Sequence, residues 1–286
     1  MCCYLSQIAQ ITQIELNSDY EITLIGGDLK DRDFTVRKYK ELLAAFKEAG
    51  YNFQRVEDFV LSPLPKVVIL RHDVDKIPLN ALNFAKLEKS EDIYSTYYFR
   101  IVPDSFVPSI IREISALGHN IGYHYEDVDL TKGDVDKAYL SFKTNLGKLR
   151  KIAPVKTICM HGSPLSKYDN RRIWDKYDYK ELGIICKPYL DIDFNKVLYL
   201  TDTGRRWNSE EVSIRDKVHS AYKFQIKNTN QLINLIQENR LPEQIMINTH
   251  PQRWNDNIIY WTRELLAQNI KNQLKKIMVK HSSNNL

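Results

Sequence analysis

The chain is poor in residues that crosslink or punctuate a fold. It has 4 cysteines in 286 residues, and no two of them are spaced as CxxC. Cys2 and Cys3 adjoin at the start, while Cys159 and Cys186 fall in apolar runs. A zinc ribbon and a disulfide framework are therefore not indicated, and buried thiols in a reducing compartment are expected. Glycine and proline number only 10 each, and no repeat, low-complexity stretch or linker separates one part from another. A single domain spanning 1–286 is expected, with its core over about 33–255, an N-terminal extension over 1–32 and a closing helix over 256–286. No apolar run approaches the length of a membrane span. Met1 to Leu16 lacks a basic leader and a long apolar core, because Gln7, Gln10 and Gln13 interrupt it, so a cytoplasmic location is expected. Basic residues exceed acidic ones by 41 to 36, but they form no stripe interleaved with aromatics. Nucleic acid is thus not an expected partner. Lys271, Lys275, Lys276 and Lys280 lie near the end of a predicted helix, where cations complement its dipole.

What the chain does have is apolar residues, 43% of the total, which is enough for a sizeable core. Their periodicity alternates. Val36, Tyr39, Leu43 and Phe46 recur at helical spacing before Gly50, and Lys66 to Leu70 is a continuous β-branched run of the kind buried on both faces. Helical patterns over Pro78–Leu87, Val107–Leu117, Val135–Leu149, Leu232–Ile236 and Ile258–Ile277 alternate with strand-like runs. Those runs are Asp92–Phe99, Asn120–Tyr123, Val155–Met160, Leu182–Cys186, Val197–Leu200 and Gln244–Asn248, with Tyr20–Ile25 as a further candidate. Strands alternating with helices imply parallel pairing, and the length predicts an α/β fold, a (β/α) barrel of about seven strands.

In such barrels the chemistry sits at the C-terminal ends of the strands. The residues just past the predicted strands are His72-Asp73-Val74-Asp75, His124, His161-Gly162, Asp202 and His250-Pro251. One histidine after a strand is usually structural; several histidines and aspartates at one end of a sheet point to a site. In extended backbone, residues i and i+2 share a face, so Asp73 and Asp75 can point together while His72 and Val74 point away. Two close carboxylates repel unless a cation lies between them or one takes a proton.

The ordered set RHDVD (71–75), LGHNIGYH (117–124) and IMINTH (245–250) resembles the polysaccharide deacetylases of the NodB-homology class. The helix Phe34–Gly50 is similar to the one that opens that domain, and the resemblance covers about residues 33–255. Departures are plain. The family's adjacent acidic pair is split here by Val74, and the position of its second metal histidine holds Val128. Glu126 or Asp127 is one replacement, and His161 from the next strand is another. Met160-His161-Gly162-Ser163-Pro164 stands where the family has an arginine that orients the base, which leaves Arg71, Arg171 or Arg205 for that task.

The resemblance implies a hydrolase of carbon–nitrogen bonds other than peptide bonds, removing an acyl group from an N-acylated amine on a sugar or sugar-containing intermediate. A divalent metal, zinc by preference, would lie among Asp75, His124 and His161. Asp73 would be the base and His250 the acid. Tyr123, Tyr125, Arg205, Trp207 and Trp254 would line the substrate. The alternatives are a metal-independent amide or imide hydrolase using the same residues, and an inactive glycan-binding relative.

Overall fold

A computed structural model describes residues 32–162, 166–207 and 218–283, with side chains as far as residue 273. Contacts divide the chain into Met1–Asp33 and Phe34–Leu286, and of the first unit only Arg32 and Asp33 are described. The candidate strand Tyr20–Ile25 and residues Cys2, Cys3, Ser163 and Pro164 lie outside the described residues.

Helix α1 (Val36–Glu48) starts at Thr35, whose hydroxyl accepts the Lys38 N–H, and it buries Tyr39, Leu42, Leu43 and Phe46 at the predicted spacing. Strand β1 (Asn52–Gln54) and helix α2 (Val56–Leu61) follow; both are too short to declare themselves by periodicity. Next come β2 (Val67–Val74), α3 (Pro78–Ser90), β3 (Thr96–Phe99), α4 (Pro108–Ala116) and β4 (Asn120–Tyr125). Pro78 and Pro108 open their helices at positions where a missing N–H costs nothing. The short α5 (Asp127–Leu130), α6 (Val135–Arg150), β5 (Val155–Met160), α7 (Pro188–Asp191) and β6 (Leu198–Thr201) continue the alternation. The chain closes with α8 (Thr229–Gln237), β7 (Gln244–Thr249) and α9 (Ile258–Ser283).

All seven strands join one parallel sheet in the order β5-β4-β3-β2-β7-β6, and β1 pairs with the first half of β2. The parallel α/β sheet of seven strands is the expected one, and no ladder joins β5 to β6 among the described residues. The expected strand Leu182–Cys186 is reduced to a single bridge, Thr157 to Cys186, because Tyr179–Leu182 coils into a 3-10 turn ending at the left-handed Gly183.

The two faces of the sheet bury different side chains. Val68, Leu70, Val74, Ile121, Tyr123, Tyr125, Ile158, Ile245 and Ile247 pack in the larger core, which takes in the buried faces of α1, α3, α4, α6 and α8. Ile69, Tyr98, Cys159 and Met246 belong to a smaller cluster completed by Cys186, Phe194 and Val197. By the period-two alternation of a strand, Arg71 and Asp73 continue the Ile69 row and Asn248 the Met246 row. Gly122 lies across from Tyr98 in the β3–β4 register, and a Cβ there would stand 2.3 Å from two carbons of the Tyr98 ring. The Tyr98 hydroxyl is itself donated to Thr157 Oγ1 at 3.0 Å. Gly122→Ala is therefore expected to cost about 1–3 kcal/mol by overpacking. Urea denaturation checks this, and an unchanged midpoint would mean that the ring moves aside freely.

Candidate metal and acid–base site

Arg71, Asp73 and Asp75 alternate along β2 and its exit, and the guanidinium meets the first carboxylate directly. Arg71 Nη2 donates to both oxygens of Asp73, at 2.7 and 2.9 Å, and Asn248 Nδ2 of β7 donates to Oδ2 at 2.9 Å. Burial alone would raise the Asp73 carboxyl, but Arg71, His124 and His250 together outweigh it and hold the pKa at about 2. Asp73 is thus a carboxylate at neutral pH. Of the three arginines left open by the motif, Arg71 is the one beside Asp73.

Asp75 stands just past the strand end. Its Oδ2 accepts from Gln252 Nε2 at 3.2 Å, while its buried Oδ1 has no hydrogen-bond partner. That oxygen lies 3.5 Å from His124 Nε2 and 3.7 Å from His161 Nε2. The three donor atoms lie within 4.8 Å of one another. A four-coordinate zinc ion with bonds near 2.0–2.2 Å sets its ligands about 3.3–3.6 Å apart, close to the two separations between Asp75 and the histidines. His124 Nδ1 faces the Cys159 carbonyl at 3.1 Å, which leaves Nε2 for the site. Burial disfavours charge on Asp75, but the imidazoles of His124, His250 and His161 hold its pKa well below the ordinary carboxylate range. Burial likewise opposes charge on His124, and Asp73 and Asp75 push its pKa well above the ordinary value. Such a crowd of facing charges is what a bound cation would reorganise, displacing the proton on His124.

His250 enters from the end of β7. Its Nδ1 lies 2.6 Å from Asp202 Oδ1 and its Nε2 3.9 Å from Asp75 Oδ2. Asp202, past β6, also accepts from the His250 N–H, Arg253 Nη1 and Trp254 Nε1. Burial raises the Asp202 carboxyl, and Arg253 and His250 overcome it, so the group stays ionised. A fixed carboxylate at Nδ1 orients the ring.

Asp73, Asp75, His124, His161 and His250 are therefore brought together. Asp127, one candidate replacement for the missing histidine, is taken up elsewhere by Tyr123, Ser141 and Asn145. Glu126 lies behind His161, its Oε2 3.0 Å from Nδ1. Val128 is fully buried in α5.

The five expected substrate-lining residues do not line the site. Tyr123 and Tyr125 sit on the opposite face of β4 from His124, buried in the larger core, with Tyr123 donating to Asp127 and Tyr125 accepting from Trp174. Trp207 donates to Thr229 and packs with Phe34, while Trp254 lies among Phe34, Tyr39 and Phe84. Arg205, at φ 55, is buried with its guanidinium against Trp261. The aromatic hydroxyls that do reach the site are those of half-buried Tyr189, 3.5 Å from Arg71, and Tyr199, 3.3 Å from Asn248. Tyr199 shares the inner parity of β6, a signal available from the alternation; Tyr189, on α7, has no such signal.

Behind the site, on the other face of β2, lies a second polar cluster. Glu88 of α3 is fully buried and accepts from Tyr39 at 2.5 Å, Ser95 at 2.6 Å and Tyr97 at 2.8 Å. His72 spans from Glu88, 2.8 Å from its Nε2, to Thr249 Oγ1, 2.7 Å from its Nδ1. His119, from the sequence motif, serves this cluster rather than the site. It accepts the Ser95 N–H at Nδ1 and places Nε2 3.0 Å from the Ala85 carbonyl.

No protein-family model matches the chain, and no curated protein matches it. Among solved structures, it is similar to a mutant of BA3943, a CE4 family pseudoenzyme, at 10% identity and a TM-score of 0.41, over 74% of this chain and 64% of that one. It is also similar to a CE4 esterase from Streptococcus mutans, at 11% identity and a TM-score of 0.39, over 77% of this chain and 85% of the other. A third is the peptidoglycan deacetylase PdaC from Bacillus subtilis, at 11% identity and a TM-score of 0.36, over 75% and 98%. The chain thus spans slightly less than two thirds of the length of the first of these.

Proposed function

We propose that the chain is a divergent member of the NodB-homology deacetylases and hydrolyses an N-acylated amine, with a divalent cation held by Asp75, His124 and His161. The observation that carries this reading is the buried Asp75 Oδ1 facing two imidazole Nε2 atoms at 3.5 and 3.7 Å, beside an ionised Asp73 and an anchored His250. A cation there would polarise the acyl oxygen and make water more acidic. Asp73, fixed by Arg71 and Asn248, accepts the proton of the attacking water. The water oxygen bonds to the acyl carbon, the carbon–nitrogen bond breaks, and His250 delivers a proton to the departing nitrogen, because an amide anion is a very poor leaving group. The products are a carboxylic acid and a free amine. An acylamino sugar, free or nucleotide-linked, suits a site ringed by hydroxyl and amide groups such as Tyr189, Tyr199 and Gln252.

The test joins elemental analysis of the purified protein to a panel of acylamino sugars, with release of acetate or formate followed. About one equivalent of a first-row cation, and turnover lost on chelation and restored by zinc, is the expected result. Turnover that survives complete chelation would favour the metal-independent hydrolase. A protein that holds no cation and turns over nothing, while still binding glycan, would favour the inactive relative.

A further inference from the structure

We propose that Arg100 and Glu126 form a positioning pair that aims His161 at the cation site. The inference rests on the cation site proposed above. His161 follows β5 in a loop, so no helix or strand fixes its ring. Its Nδ1 is buried, and Glu126 Oε2 stands 3.0 Å away, close enough for a hydrogen bond though not aligned for one. A turn of the imidazole would align the two. Nδ1 then carries the proton, and Nε2 keeps its lone pair toward Asp75, the tautomer that a ligand requires.

Glu126 is itself held. Arg100 Nη2 donates to both of its oxygens at 2.8 Å, and Nε adds a third bond at 3.0 Å. This fork sets the plane of the carboxylate, a task for which arginine geometry is suited. Arg100 also reaches the second ligand segment: its Nη1 lies 3.4 Å from the Asp75 carbonyl. Its own backbone N–H is given to Ser105 Oγ, which donates to the Val74 carbonyl. One residue past β3 thereby ties the exit of β2, which carries Asp75, to the exit of β4, which carries Glu126. Neither residue belongs to the donor set, so both act through His161.

The experiment measures cation affinity, by calorimetry and by the visible absorption of bound cobalt(II), on the full chain and on Glu126→Ala and Glu126→Gln. Glu126→Ala is expected to weaken binding about 10–100-fold and Glu126→Gln less, because the amide oxygen still accepts from Nδ1. Equal affinity in all three proteins would overturn the positioning role and leave the cation site standing. A parent protein that binds no cation would overturn the site, and the pair with it. Should the alanine variant fail to fold, nitrogen-15 shifts of His161 in the zinc-loaded parent decide alone: a proton on Nδ1 with a metal-shifted Nε2 is expected, and the reverse assignment overturns the proposal.

Discussion

His250→Ala is expected to lower turnover about 10²–10⁴-fold while leaving cation content and melting temperature close to those of the parent. The separation follows from the geometry. Its Nε2 is 3.9 Å from Asp75 Oδ2, beside the donor set but outside it. Its Nδ1 partner, Asp202, keeps Arg253 and Trp254 as donors when the imidazole is removed, so no buried carboxylate is stranded. The loss should fall on the step that expels the amine. A substrate with a leaving group that needs no proton, such as an activated aryl ester, should therefore be spared much of it. Single-turnover rates on the amide and ester checks this. Full activity of the variant on the best amide would remove His250 from the reaction and make it a packed strand-end residue.

Glu88→Ala is expected to cost about 3–5 kcal/mol, enough to unfold many domains of marginal stability. Its carboxylate is buried and serves Tyr39, Ser95 and Tyr97, with His72 alongside, so truncation strands several polar groups at once. Burial alone would raise the Glu88 carboxyl, but His72 and His119, with the Ser95 hydroxyl, bring its pKa down to about 2 from 4.5. A depressed pKa means that the ionised form is favoured in the folded protein. Its contribution is present above pH 4.5 and is lost as pH falls toward 2. Chemical denaturation of the parent between pH 6 and pH 3 should show this loss, while Glu88→Gln, which has no charge to titrate, should show a smaller dependence on acid. Parallel curves for the two proteins would mean that Glu88 does not carry the effect.

Much of the sheet was legible because strands buried on both faces read as apolar runs: β2, β4, β5, β6 and β7 all fall where those runs predict, to within a few residues at their ends. The convergence of Asp73, Asp75, His124, His161 and His250 followed from the same reading, since each lies at or just past a strand end. The substrate walls were misplaced for a reason contained in the alternation itself. Tyr123 and Tyr125 flank His124 and so face the larger core, not the candidate site. Trp207 and Trp254 follow strand ends but turn back into the core, Trp254 against Tyr39 and Phe84 and Trp207 against Phe34 and Thr229, a path that depends on local chain reversal rather than period. Glu88 carried no signal either: an acidic residue near a helix end reads as solvated until tyrosines from α1 and β3 are known to surround it. The support of Asp202 for His250 and of Glu126 for His161 joins residues from different strands, a pairing no local spacing encodes.

The two unlike faces of β2 constrain how this chain can change over evolutionary time. Arg71 and Asp73 point one way, His72 and Val74 the other, and each row meets a filled and chemically distinct environment. A one-residue insertion or deletion ahead of Arg71 would exchange the rows, sending the carboxylate toward the helices and an imidazole toward the cleft. Point substitutions within a row remain open to drift, and so do length changes in the connections that leave the register alone. Lineages descended from this chain should therefore differ in loop length many times before any differs in the length of β2.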